Sequence, residues 1–280
     1  TIGTGSGNAI WFYTTGGAFN LTNTISTGAG TLTLNGNIGV DSDARTLSND
    51  ITGKLNLGAA TRNISNASYG GVGHTAQMTP IHIYADISGG AGVGITSSNS
   101  GLAAALILSG DNTYTGTTTI NGGYVVADSA TALGAGGNIT FTGNNSFLRY
   151  TAASAAVDYS SRFKGSNKPI GIDTNGLTIT LSGLIDNTNT QGLTKTGDGT
   201  LVLAGAAGNT YGGTTTVNQG TLELATTGSV NAIANGGLTV NGGAVCRYTG
   251  DSTDMMGVGG VTINGTGVLD FSGAADTIGT

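Results

Sequence analysis

Residues 191–224 read Gln-Gly-Leu-Thr-Lys-Thr-Gly-Asp-Gly-Thr-Leu-Val-Leu-Ala-Gly-Ala-Ala-Gly-Asn-Thr-Tyr-Gly-Gly-Thr-Thr-Thr-Val-Asn-Gln-Gly-Thr-Leu-Glu-Leu. Three short β-forming runs lie in this stretch: Thr200–Leu203, Thr214–Val217 and Thr221–Leu224. Gly and Asn, which tolerate the left-handed backbone of a tight corner, separate them. Strands this short do not hold an open sheet together alone, but they serve as rungs of a coil stacked on copies of itself.

Working outward, an earlier copy stands at Leu108–Val125, with Asn112-Thr113-Tyr114 matching Asn209-Thr210-Tyr211. Tyr114 and Tyr211 lie 97 positions apart, as do Asn121 and Asn218. Leu148-Arg149-Tyr150-Thr151 returns as Cys246-Arg247-Tyr248-Thr249 at an offset of 98. The super-repeat is therefore about 95–100 residues, with copies at 102–150 and 192–248. A finer period runs inside it: Val217, Val240 and Ile263 are spaced by 23 residues, and Leu203 and Leu224 by 21. These spacings predict one continuous β-solenoid over 1–280, with coils of about 20–25 residues.

Strict alternation assigns the faces. Leu32, Leu34, Leu201, Leu203, Leu222, Leu224, Leu238 and Val240 are expected inside; Thr31, Thr33, Thr221 and Thr239 are expected outside. Leu108, Tyr114, Ile120, Asn121, Tyr211, Val217 and Asn218 mark the recurring positions of the coil. Each buried Leu or Val contributes roughly 1.5–3 kcal/mol. No apolar stripe of helical period spans eleven residues, because Gly interrupts nearly every window. An antiparallel sandwich is the competitor, since Asn-Gly and Gly-Gly pairs also suit hairpins; the 23-residue spacing favours the solenoid. Residues 65–80 break the pattern and read as an exposed excursion or an irregular coil.

Composition narrows the function. Of 280 residues 52 are Gly and only 9% are charged, with a formal net charge of −6. Nine Lys plus Arg are too few for a phosphate-binding footprint, which argues against nucleic acid. No apolar run is long enough to cross a bilayer as a helix, and the strands are too short for a porin-like barrel. The lone Cys246 rules out a disulfide framework and reads as an inert, partly buried thiol.

The motif Gly192-Leu193-Thr194-Lys195-Thr196-Gly197-Asp198-Gly199-Thr200-Leu201-Val202-Leu203, continued by Asn209–Leu222, resembles the autotransporter-associated repeat of bacterial surface proteins. Asn112–Gly123 resembles its second half, whereas Leu102–Leu108 departs from the Leu-Thr-Lys pattern. The resemblance implies a right-handed parallel β-helix, an extracellular or outer-surface location, and an anchor or translocator elsewhere. In such proteins the repeat marks the stalk. Right-handedness is also what the general crossover rule favours.

Chemical constellations are thin. Asp41 with Asp43, and Asp251 with Asp254, are candidate calcium ligands, since hard oxygen donors suit that ion; neither follows an EF-hand or calcium-roll spacing. Otherwise no cofactor is expected. His74 and His82 lack an acidic or Cys companion at metal-site spacing. Gly250-Asp251-Ser252 is followed by Thr253, not by the Gly of a protease nucleophile turn. Trp11, Tyr13 and Tyr84 are the binding or interface candidates, because exposed aromatics stack on sugars or bury at protein contacts. The recurring Tyr114 and Tyr211 read instead as corner packing.

The sequence thus predicts a structural stalk or fibre segment supporting adhesion, with surface glycans or proteins as partners. The alternative is a polysaccharide-active or other hydrolase on the same scaffold. Thr1-Ile2-Gly3-Thr4 recurs as Thr277-Ile278-Gly279-Thr280, which suggests one unit of a tandem array and self-association into a filament.

Overall fold

The computed structural model describes residues 8–13, 21–41, 46–66, 80–99, 105–234, 236–250, 256–257 and 259–271. Alternating Leu/Ile/Val and Thr/Asn runs form strands there, and the Gly- and Asn-rich joints between them form corners. Two compact units result, Thr1–Ile139 and Thr140–Thr280.

The first unit contains β1 (Asn8–Tyr13), β2 (Leu21–Thr33), β3 (Asn37–Asp41), β4 (Thr46–Asn56), β5 (Arg62–Asn66), β6 (Ile81–Ile83), β7 (Asp86–Ser88), β8 (Ile95–Asn99), β9 (Ala105–Leu108), β10 (Thr118–Asn121) and β11 (Gly123–Ala127). A short β12 (Ile139–Phe141) falls at the boundary. The second unit contains β13 (Ser146–Tyr150), β14 (Ile170–Asp173), β15 (Thr178–Leu181), β16 (Leu193–Thr196), β17 (Thr200–Gly205), β18 (Thr215–Val217), β19 (Thr221–Thr226), β20 (Leu238–Val240), β21 (Val245–Tyr248), β22 (Val261–Ile263) and β23 (Val268–Asp270). One 3₁₀ turn, Ser160–Arg162, is the sole helical element among the described residues.

Each unit is a parallel β-solenoid. In the second, β14, β16, β18, β20 and β22 pair in that order, and β15, β17, β19, β21 and β23 form the facing column. Leu193 pairs with Thr215, Thr215 with Leu238 and Leu238 with Val261, steps of 22, 23 and 23 residues. In the first unit, β2, β4, β6, β9 and β11 stack in one sheet, with β7 beside β4, and β1, β3, β5, β8 and β10 in another. Coil length is less uniform there. Ala105 pairs with Tyr124 after 19 residues, whereas Asn49 pairs with Ile81 after 32 and Arg62 with Ile95 after 33. The expected 20–25 therefore describes the second unit better than the first. The long coil contains the irregular stretch read at 65–80, most of which lies outside the described residues. A long connection at a corner lengthens a coil without disturbing the register beneath, because the inward columns fix the pairing.

Those columns are apolar. Leu34, Leu201, Leu203, Leu222, Leu224, Leu238 and Val240 are essentially inaccessible, as are Leu108, Ile120 and Val217. Leu32 departs from the expectation and is only half-buried. It follows a register shift between Ser26 and Thr31, where the long β2 gains residues over β4 and the ladder is locally disrupted; the alternation itself persists, with Thr31 and Thr33 exposed and Leu34 buried.

Corners bring backbones too close for side chains. A Cβ on Gly236 would stand 1.7 Å from the carbonyl oxygen of Gly213 in the coil below. Gly197 has φ +72°, and a Cβ there would reach within 2.1 Å of the Asp173 carboxylate. Glycine is thus required at both positions by space, and at Gly197 also by conformation.

Polar staples complete the corners. Asn112 Oδ1 accepts from the Ile87 N–H (2.8 Å), and its Nδ2 donates to the Ala132 carbonyl (2.7 Å). Asn209 repeats this with the Ile185 N–H (2.9 Å) and the Ala232 carbonyl (2.8 Å). One buried amide therefore ties the coil before it to the coil after it. Two residues later, Tyr114 and Tyr211 fill the corner, their hydroxyls bonded to Thr118 (2.8 Å) and Thr215 (2.6 Å). Without partners such buried polar groups would cost about 1–3 kcal/mol each.

Candidate functional site

Lys195, the motif lysine, shows where the repeat places its one charged side chain with inward direction. It is wholly buried. Its Nζ donates to the carbonyls of Thr196 (2.9 Å), Gly197 (2.6 Å) and Gln219 (3.0 Å), closing one corner onto the next coil. Burial pulls its pKa down to about 8 against the opposing pull of Asp173 and Asp198. Three carbonyls can only accept, so the amine is held as a donor. This is a structural cation with no face open to a ligand.

The exposed chemistry lies on the first unit. β6 presents Ile81 and Ile83 inward and His82 outward, and Tyr84 follows at the point where the chain leaves the strand. The Tyr84 and His82 rings stack with centroids 3.6 Å apart and planes 27° apart. His82 pairs in register with Asp50 on one neighbouring strand and with Ile107 on the other. Its Nε2 lies 2.6 Å from Ser109 Oγ, and that hydroxyl donates to Asp128 Oδ2 at 2.7 Å. Asp50, His82, Ser109 and Asp128 thus come from four successive coils.

The direction of these bonds decides what the cluster can do. Ser109 has one proton, and it points to Asp128; His82 Nε2 must then carry the hydrogen that Ser109 accepts. An imidazole donating to a serine is not poised to deprotonate it, and the carboxylate touches the serine instead of the far ring nitrogen. Serine-nucleophile chemistry needs the reverse arrangement. Burial lowers the His82 pKa, opposed by the charges of Asp50 and Asp128, so the neutral ring prevails at neutral pH. Tyr84, 48% exposed, is left as a fixed aromatic face beside carboxylates.

The other sequence-derived candidates fall as follows. Trp11 and Tyr13 lie in β1, but their side chains are outside the description. Asp41 ends β3 with its side chain likewise undescribed, and Asp43, Asp251, Asp254 and His74 lie outside the described residues, as do both Thr-Ile-Gly-Thr ends. Among the described residues no three His, Cys, Asp or Glu side chains converge as a metal site. Tyr114 and Tyr211 are buried at equivalent corners. Cys246 is buried in β21, and burial pushes its thiol up to about 12. Asn121 is exposed; Asn218, also exposed, begins an amide ladder through Asn241 (2.6 Å) and Asn264 (2.8 Å). Sequence reasoning missed Asn112, Asn209, Ser109 and Asp128. The two asparagines were visible as the residue two before each repeated Tyr; Ser109 and Asp128 carried no signal, because only coil stacking brings them to His82.

The comparisons agree with the corners. The model of the passenger-associated-transport-repeat matches residues 103–127 and 193–224. These stretches contain Asn112, Tyr114, Lys195, Asn209 and Tyr211. The chain is 34% identical over 129 residues to the adhesin BmaC autotransporter of Brucella suis biovar 1 (strain 1330), a match covering 42% of this chain and 4% of that protein. The chain therefore corresponds to a small part of that relative's length. No solved structure matches the chain significantly. Over these two stretches, each built into stacked parallel coils, the chain is similar to autotransporter passenger repeats.

Proposed function

We propose that this chain is a segment of a surface-displayed passenger, a structural stalk whose lateral faces support adhesion and whose role is not enzymatic. One observation carries the reading: the residues of the matched repeats are spent on holding coils together. Asn112, Asn209, Tyr114, Tyr211 and Lys195 are all buried and bonded within or between coils. The repeat thus encodes a scaffold, and 129 residues of the chain are 34% identical to the adhesin named above. The relevant location is the extracellular side or outer surface of a bacterium, and the partners are surface glycans or proteins.

The test compares cells displaying the full-length protein with cells displaying it without residues 8–271. Adhesion to a surface coated with extracellular glycoprotein is expected to fall on deletion, while surface display of the remainder persists. Unchanged adhesion would overturn the adhesive role of this segment. Release of reducing sugar from polysaccharide by the purified chain would put the hydrolase reading in its place.

A further inference from the structure

The Tyr84 face has features that the scaffold does not use. Among the described residues the large exposed apolar side chains are Tyr84, Leu184, Ile263 and Val268, and Tyr84 alone of these belongs to the first unit. One face of its ring rests on His82 at 3.6 Å, and His82 is itself held by Ser109 at 2.6 Å. The ring is therefore fixed before any partner arrives, which reduces the entropy lost on binding. Asp128, its side chain 35% exposed, brings Oδ2 within 3.9 Å of Nε2 of that same His82. Oδ2 of that carboxylate is taken by Ser109, and Oδ1 accepts no hydrogen bond from the described residues.

We propose that Tyr84 and Asp128 form a saccharide subsite, with one pyranose ring stacked on Tyr84 and its hydroxyls donating to Asp128. The footprint selects this occupant. A protein partner of ordinary affinity needs about 800 Å² on each side and several clustered apolar anchors, whereas here Tyr84 alone is broadly exposed: Ile107, in register with His82, is half-buried, and Val126 beyond it is buried. A pyranose presents a C–H face of about the size of one aromatic ring and a rim of hydroxyl donors. Tyr84 supplies an apolar face with a free edge, and Asp128 supplies an acceptor with a vacant oxygen. The subsite deepens the adhesive reading, and rests on it only for what binding means on the cell. A single subsite binds weakly, and many displayed copies convert weak contacts into firm attachment.

The test titrates the purified chain with lactose and methyl β-glucopyranoside at millimolar concentration, following the Tyr84 ring signals by NMR. Saturable shifts at Tyr84 are expected with at least one sugar. Tyr84→Ala should weaken binding roughly tenfold or more, Asp128→Asn should weaken it less, and Tyr84→Phe should retain it. Tyr84 is exposed, so the alanine variant folds, and unchanged signals from the buried Tyr211 check this. The proposal is overturned by the absence of saturable shifts with both sugars, or by undiminished binding in Tyr84→Ala. Shifts at Tyr84 with an arginine-rich peptide and not with sugar would also overturn it, assigning the patch to a cationic partner. Any of these leaves the deletion experiment on adhesion standing, so the two readings fail separately.

Discussion

At the scale of single residues, Lys195 is the most informative position. Its ammonium donates to three carbonyls at a corner, of which that of Thr196 also accepts from the Thr174 N–H, and its stem fills the space between coils. Lys195→Met keeps the stem and removes the donors, and is expected to cost on the order of 3 kcal/mol in denaturant unfolding. The pH dependence carries a sign. With a folded pKa of about 8 against 10.5 for the free side chain, the unfolded chain holds more protons between those values, so this group makes stability rise with pH across that window. Buried phenols such as Tyr211, pushed up to about 12, act in the opposite sense at higher pH. They are common to both proteins, so the wild-type minus variant difference isolates the lysine. A difference that stays flat from pH 8 to 10.5 would contradict the assignment.

At the scale of strands and corners, alternation in the sequence is what made the fold legible. Leu238–Val240 and Val245–Tyr248 were readable residue for residue as β20 and β21, because Gly and Asn mark both ends and period two marks the inside. Leu32 was not, since a register shift earlier in β2 leaves no mark in the alternation. The Tyr84 cluster was legible only in half. His82 and Tyr84 share a face by simple alternation, but Ser109 and Asp128 sit 27 and 46 residues beyond His82 and reach it only through coil lengths of 25 and 19 that no local pattern reveals. Register itself is open to measurement. Thr216 and Thr239 are outward partners on neighbouring strands, within the Cα separation that a disulfide requires. Thr216→Cys with Thr239→Cys should cross-link readily under mild oxidation, whereas Thr216→Cys with Asn241→Cys, two residues out of register, should not. Equal cross-linking of both pairs would contradict the parallel in-register stack.

At the scale of the whole molecule, low charge and outward Thr and Asn give each unit neutral polar faces, and the formal net charge is −6. Apolar columns and corner staples hold each unit, and the repeats matched to passenger sequences are those staples. In the proposed role these coils stand outside the cell. Its most direct test is labelling of intact producing cells with a membrane-impermeant maleimide, using full-length protein carrying Thr216→Cys. The native thiol, Cys246, is buried and held protonated, so it provides the internal control. Labelling of the Thr216→Cys protein is expected on intact cells, and none of the parent until it is denatured. Labelling of the variant only after lysis would contradict the proposed role.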